Sequence, residues 1–135
     1  MTEGYAGDVT PQEAWQMVLD DGAVLVDVRT EAEWRFVGVP DLATAPSELV
    51  CIEWVDAAGR RNPAFGGQVA AAAQGRAVVF LCRSGQRSAS AALAVTTEGA
   101  GPAYNVTEGF EGPLDSAGHR GDTGWRAAGL PWKQS

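Results

Sequence analysis

Little in this sequence is basic, and little of it suits a metal. Ten Lys and Arg stand against seventeen Asp and Glu in 135 residues, a formal net charge of −7. Nucleic acids and anionic membranes are held by basic surface, so this balance excludes a general binder of either; the acidity itself reads as solubility. Histidine occurs once, at His119, and cysteine twice, at Cys51 and Cys82, with no Cys-x-x-Cys pair and no Cys/His cluster. A structural zinc site is excluded on that count, and no metal is expected. No apolar run reaches the roughly 18 residues that a membrane helix needs. The opening stretch MTEGYAGDVTPQEAWQ has neither the basic start nor the apolar centre of a secretory leader. The expected compartment is therefore the cytoplasm, where thiols stay reduced.

What is present fits one domain, residues 1–135. A content of 45% hydrophobic and 20% charged residues is that of a globular chain, and seventeen glycines announce turns and close backbone approaches. Helix and strand signals alternate. Thr10 as N-cap, Pro11 at the first helical position and Glu13 as capping-box partner open a helix, which Gly22 closes. AVLVDV at 23–28 is a short, β-branched apolar run, the mark of a buried strand. Thr30 and Glu33 form a second capping box, opening a short helix to about Phe36 that Gly38 and Pro40 stop. LVCIEWV at 49–55 reads as a second strand. Residues 63–74 read as a helix weakened by Gly66 and Gly67. AVVFL at 77–81 is the strongest strand, 86–98 a helix closed by Gly99, and PAYNV at 102–106 the last strand. The remainder is glycine-rich, with a short helix near 125–128. Strands separated by helices predict an α/β fold, a central and mainly parallel sheet with helices on both faces. Such sheets bind ligands beyond the carboxyl ends of their strands, and Cys82 immediately follows the most apolar one.

The segment CRSGQRS, Cys82 to Ser88, must turn sharply from strand to helix. Gly85 permits a positive φ there. A turn of this kind aims several backbone N–H groups inward as an anion-binding nest, and the helix that follows adds the positive end of its dipole. Arg83 and Arg87 add two cationic groups. A thiol in such a field favours its thiolate. The chemistry expected is a nucleophilic Cys82 in a cup lined by Arg83, Ser84, Gly85, Gln86, Arg87 and Ser88. The plainer alternative is a buried cysteine acting as a small hydrophobe beside solvated arginines.

CRSGQRS resembles the active-site loop of the rhodanese-like sulfurtransferases. LVDVRTEAEW (25–34) resembles that family's first signature, a strand ending in Asp-x-Arg before a Glu-rich helix. YNVTEGFEG (104–112) is similar to the stretch after its last strand, and GWRAAGLPW (124–132) to the tail of bacterial single-domain members. VGVPDL (37–42) stands where the family has a Gly-His-Ile-Pro-Gly-Ala-like segment; it keeps Pro40 and has no histidine. The resemblance implies a rhodanese-like fold and a double displacement. Cys82 would take the outer sulfur of a small anionic donor such as thiosulfate, hold it as a persulfide, and yield it to a thiol or cyanide, with no cofactor. A sulfur-relay protein is a possible partner. The Cys-x4-Arg spacing is one residue shorter than that of cysteine phosphatases on the same architecture, which favours sulfur over phosphate. The alternatives are a sulfur-carrier or regulatory module serving a partner protein, and a phosphatase or arsenate reductase.

Asp27 and Arg29 follow a strand end and are expected near the same sheet edge, either supporting the loop from behind or forming an ordinary ion pair. Cys51 is expected as a core residue, with a disulfide to Cys82 as the alternative. His119 is expected exposed or locally hydrogen-bonded. The five tryptophans fit core and rim packing, with Trp125 and Trp132 as candidates for the site entrance. Arg60 and Arg61 fit a solvated turn.

Overall fold

The computed structural model describes residues 4–134; Met1–Glu3, the first residues of the stretch read above as no leader, lie outside them. In chain order the elements are β1 (Gly7–Val9), α1 (Pro11–Asp21), β2 (Val24–Asp27), α2 (Glu31–Phe36), β3 (Val39–Pro40), β4 (Val50–Cys51), α3 (Phe65–Ala73), β5 (Val78–Leu81), α4 (Gln86–Thr97), β6 (Ala103–Val106) and β7 (Trp132–Lys133). Five strands form one parallel sheet in the order β1-β6-β5-β2-β4, and β3 pairs with β7 antiparallel. No described helix is long and apolar enough to cross a membrane.

Alternation along the strands sorts the core into two layers. Val24, Val26, Val28, Phe80 and Cys82 face Phe65 and Val69 of α3 and Ala91, Ala92 and Val95 of α4. Leu25, Val79, Leu81 and Val106 face Ala14 and Val18 of α1, together with Phe110 and Trp125. Burial on both faces explains why the central strands read as unbroken apolar runs. The two capping boxes are formed as expected: Thr10 Oγ1 accepts the Glu13 N–H and Thr30 Oγ1 that of Glu33, while each glutamate accepts its cap residue's N–H. Gly22 ends α1 at φ 68°.

Two expectations need correction. The strand at 49–55 shrinks to Val50–Cys51 because β4 is an edge, bonded on one side only. The Ile52 and Trp54 N–H groups still reach the Asp27 and Val28 carbonyls, at 3.1 Å each, but the ladder has ended. Residues 125–128 make a single turn, closed by the Ala128 N–H on the Gly124 carbonyl at 2.9 Å, and not a helix. Gly124 and Gly129, at φ 106° and 78°, bound the turn on either side, and the Trp125 and Arg126 N–H groups donate to the carbonyls of Gly109 and Phe110, at 2.9 and 3.3 Å.

Trp125 ties this tail to the sheet. Its ring is wholly buried, meets Trp15 edge-on at 5.8 Å, and donates Nε1–H to the Pro131 carbonyl at 2.7 Å. Trp125→Ala is expected to cost about 3–5 kcal/mol, read as a lower urea midpoint with an unchanged slope. A loss below about 1 kcal/mol would show that the tail contributes little to the fold.

Candidate active site

The loop between β5 and α4 carries the thiol at the carboxyl edge of the sheet. Gly85 caps α4 at φ 105°, and a Cβ there would collide with the Thr107 carbonyl; the positive φ expected from sequence is what turns the chain. The Gly85 N–H lies 3.1 Å from Cys82 Sγ, and Ser88 Oγ, one turn into α4, is also 3.1 Å from it. Both Cys82 and Ser88 are buried. The loop's outer edge is clamped by the chain after β6. The Phe110 N–H donates to the Cys82 carbonyl at 2.8 Å and the Glu111 N–H to that of Arg83 at 3.0 Å. Gly109, at φ 66°, packs against the same two carbonyls, where a Cβ could not fit.

Both loop arginines have carboxylate partners. Arg87 forms a two-pronged pair with Glu33, Nη1 to Oε1 at 2.7 Å and Nη2 to Oε2 at 2.9 Å. Arg83, more exposed, lies 3.5 Å from Glu111, which also approaches Arg126 at 3.8 Å. Burial would push the Glu33 carboxyl up. The Arg87 and Thr30 hydrogen bonds, with the charges of Arg87 and Arg29, outweigh it and hold the group at about 2. Glu33 in turn raises Arg87, against the cost of burial, and the nearby Cys82 and Asp27 act in the same direction. The cup therefore draws its positive character from backbone N–H groups and the helix start, with the two guanidiniums largely balanced.

Asp27 and Arg29 form a fully buried ion pair beneath this edge. Arg29 Nε is 2.9 Å from Asp27 Oδ1, and Nη2 lies 2.7 Å from Oδ2 and 2.7 Å from the Gly38 carbonyl. The Arg29 guanidinium also lies 4.3 Å from the Phe110 ring centre, so the pair braces both the β3 segment and the clamp residue. VGVPDL is the segment it braces: Val39 and Pro40 pair with Lys133 and Trp132.

Of the other loop residues, Ser84 is half-buried and Gln86 exposed. Cys51 corrects the expectation of a core residue: the edge strand leaves it exposed. Protein packed about its thiol still raises it to about 12, with Asp27 adding to the rise and Arg29 opposing it. Trp125 is buried and cannot line an entrance, whereas Trp132 is partly exposed, 6.0 Å from Phe110. His119 is exposed, its backbone N–H donating to Asp115. Arg60 is solvated and paired with Asp56, but Arg61 lies 3.5 Å over the Trp54 ring. Sequence reasoning missed Glu33 as the partner of Arg87, Glu111 as the partner of Arg83, and Asn105, whose Oδ1 lies 2.5 Å from Ser88 Oγ. The Arg83 and Arg87 charges signalled a need for carboxylates without saying which.

A family model described as Rhodanese-like domain matches residues 10–114. A Rickettsia conorii protein, Uncharacterized protein RC0915, is 33% identical over 130 residues, 93% of this chain and 96% of that one. Uncharacterized protein RP600 of Rickettsia prowazekii is 33% identical over 120 residues, 87% of this chain and 88% of its own. The crystal structure of Rv0390 from M. tuberculosis superposes with a TM-score of 0.87 at 56% identity, covering 97% of this chain and 99% of that one.

Glu33 links stability to pH. Its folded-state value of about 2 lies below the ordinary 4.5, so the stabilisation is complete above about pH 4.5 and is lost as pH falls toward 2. Thermal melts across that interval should show Glu33→Gln less stable than the wild type near neutrality, with the gap closing as pH falls. Parallel curves would mean that the Glu33–Arg87 pair does not carry the acid sensitivity.

Proposed function

The chain belongs to the rhodanese-like domain family, and we propose that within it the protein is a sulfurtransferase that carries sulfur as a persulfide on Cys82. The observation that supports this most is the donor set around one sulfur. Gly85 N–H and the Ser88 hydroxyl converge on Cys82 Sγ at 3.1 Å, at the start of a helix whose dipole favours negative charge.

The Cys82 thiolate attacks the outer sulfur of a donor such as thiosulfate. A sulfur–sulfur bond forms to Cys82, the donor's own sulfur–sulfur bond breaks, and sulfite leaves with the bonding pair. The persulfide's terminal sulfur then occupies the mouth of the cup, where fixed backbone donors stabilise its charge as an oxyanion hole does. A thiolate or cyanide attacks that terminal sulfur, the bond to Cys82 breaks, and the thiolate is restored. Arg83, Ser84, Gln86 and Arg87 frame the approach, and Asp27 with Arg29 holds the floor in place. No step requires a cofactor or a metal. The cysteine's environment is compatible with a cytoplasmic protein whose thiols remain reduced.

A second reading, a carrier module loaded by a partner protein, is favoured by one feature. Glu33 and Glu111 balance Arg87 and Arg83, leaving less attraction for a free dianion than two unpaired guanidiniums would.

Reduced protein incubated with thiosulfate is expected to gain the mass of one sulfur atom, lose it on addition of cyanide, and show no gain as Cys82→Ser. Loading by a small-molecule persulfide but not by thiosulfate would move the carrier reading ahead. No loading by either, together with turnover of an aryl phosphate, would replace both with a phosphatase.

A further inference from the structure

Glu111 is one carboxylate between two guanidiniums. Its Oε2 lies 3.5 Å from Arg83 Nε and its Oε1 3.8 Å from Arg126 Nη2. One negative charge thus faces two positive ones, and neither arginine has a second carboxylate partner among the described residues. At these lengths the contacts are between charges and are too long for good hydrogen bonds. Arg87, in contrast, closes on Glu33 at 2.7 and 2.9 Å. Arg29, Arg35, Arg60, Arg76 and Arg120 likewise commit donors to carboxylates or carbonyls. The side chains of Arg83 and Arg126 commit none to the described residues, although each guanidinium carries five N–H groups.

The cluster is tied to the clamp on the thiol loop. The Glu111 N–H donates to the Arg83 carbonyl at 3.0 Å, and the Arg126 N–H to that of Phe110 at 3.3 Å. The Arg126 guanidinium lies 5.3 Å from the Trp132 ring centre and 5.4 Å from that of Phe110. Ring contacts hold a guanidinium in place and leave its N–H edge for a ligand. Glu111 is largely buried, whereas both arginines reach solvent. The surplus positive charge therefore faces outward, with the partly exposed Trp132 ring as an apolar wall beside it. The net charge of −7 does not cancel it at contact range, because salt screens charges beyond about 8 Å.

A carboxylate fits such a place, since its two oxygens accept from guanidinium N–H groups together. Thiosulfate carries its charge on the group bonded to its outer sulfur, which enters the cup with it. The cluster stands instead at the loop's outer edge, one residue along from the thiol. There it can meet a carboxylate that several bonds separate from a reacting sulfur. We propose that Arg126 is a specificity-determining residue, which with Arg83 binds the carboxylate of the thiol that takes sulfur from Cys82, while Trp132 covers that thiol's carbon chain. The inference rests on the reading of Cys82 as the sulfur carrier. The acceptor thiolate attacks the persulfide's terminal sulfur and forms a sulfur–sulfur bond to it. The bond to Cys82 breaks, and Cys82 leaves as thiolate with the bonding pair. The carboxylate stays bound and takes no part in the exchange. The acceptor is thus an acidic, low-molecular-mass thiol.

The test compares N-acetylcysteine with its amide, two thiols that differ only in the carboxylate, as acceptors from the Cys82 persulfide. The ratio of the acid rate to the amide rate is measured in the wild type, Arg126→Gln and Arg126→Lys. Loss of one partly exposed charged contact should lower the ratio about fivefold in Arg126→Gln, with Arg126→Lys within about twofold of the wild type. The amide rate reports any general damage to the cup. The same ratio is then read for exchange of the free Cys82 thiol with the 2-thiopyridyl disulfides of the two thiols, by mass on the peptide containing Cys82. A ratio unchanged in Arg126→Gln, or lowered as far in Arg126→Lys, would overturn the proposal. Exchange requires no sulfur donor, so failure of the persulfide cycle and failure of this subsite are separate results.

Discussion

Two carbonyls decide what the thiol loop can do. Cys82 and Arg83 direct their C=O groups outward to the Phe110 and Glu111 N–H groups. With the carbonyls held on that side, the turn brings the Gly85 N–H to 3.1 Å from the sulfur. A loop free to relax would lose this arrangement, because isolated N–H groups gain as much from water as from sulfur. The clamp is itself braced. Trp125 and Arg126 donate to the Gly109 and Phe110 carbonyls, and Gly121 to that of Glu111. Behind them stands the buried Trp125 ring. Three segments distant in sequence thus act as one support, and the glycines at 85 and 109 are required where backbone lies against backbone.

Charge is handled with similar economy. A buried ion pair is weak evidence for stability, since desolvation of both partners offsets their attraction. Asp27 and Arg29 are better understood as a geometric brace. Arg29 reaches Asp27, the Gly38 carbonyl and the face of Phe110, joining the end of β2, the β3 segment and the clamp. Glu33 works in the same way one layer out. It closes the capping box of α2 and holds Arg87 of α4. Removing Glu33 would disturb both α2 and the loop.

The thiol loop was legible because its signals are local: strand end, glycine turn, arginines and a small-residue helix start lie within one short stretch. The two capping boxes were legible for the same reason, as was the parallel sheet, whose central strands are buried on both faces. β1, β3 and β7 were not, since strands of two or three residues such as Gly7–Val9 carry too short an alternation to register. The pairing of Glu33 with Arg87 spans 54 residues, and Ser88 meets Asn105 across 17; the topology creates both contacts, and no periodicity encodes them. Residues 125–128 have helical composition, but Gly124 and Gly129, at φ 106° and 78°, bound them to a single turn.

The two cysteines show why composition alone could not assign the chemistry. Cys51 aligns with Asp27 on β2, and Asp27 with Leu81 on β5. Two strand spacings of about 4.8 Å place Cys51 roughly 10 Å from Leu81, beyond the roughly 7 Å limit between α-carbons joined by a disulfide. Cys82 lies one residue further on, with its side chain on the opposite face of the sheet from Leu81. A bridge between the two would therefore require β4 to leave the sheet. Cys51 also has less favourable surroundings for a thiolate: though its residue is exposed, the protein packed about its thiol and the Asp27 carboxylate raise it to about 12, and the thiolate is the reactive form. Cys82 differs in its neighbours, an N–H and a hydroxyl at 3.1 Å in place of a carboxylate. Position in the sheet, rather than residue type, separates the two cysteines: one on an edge strand beside Asp27, the other in a turn that brings an N–H and a hydroxyl to its sulfur.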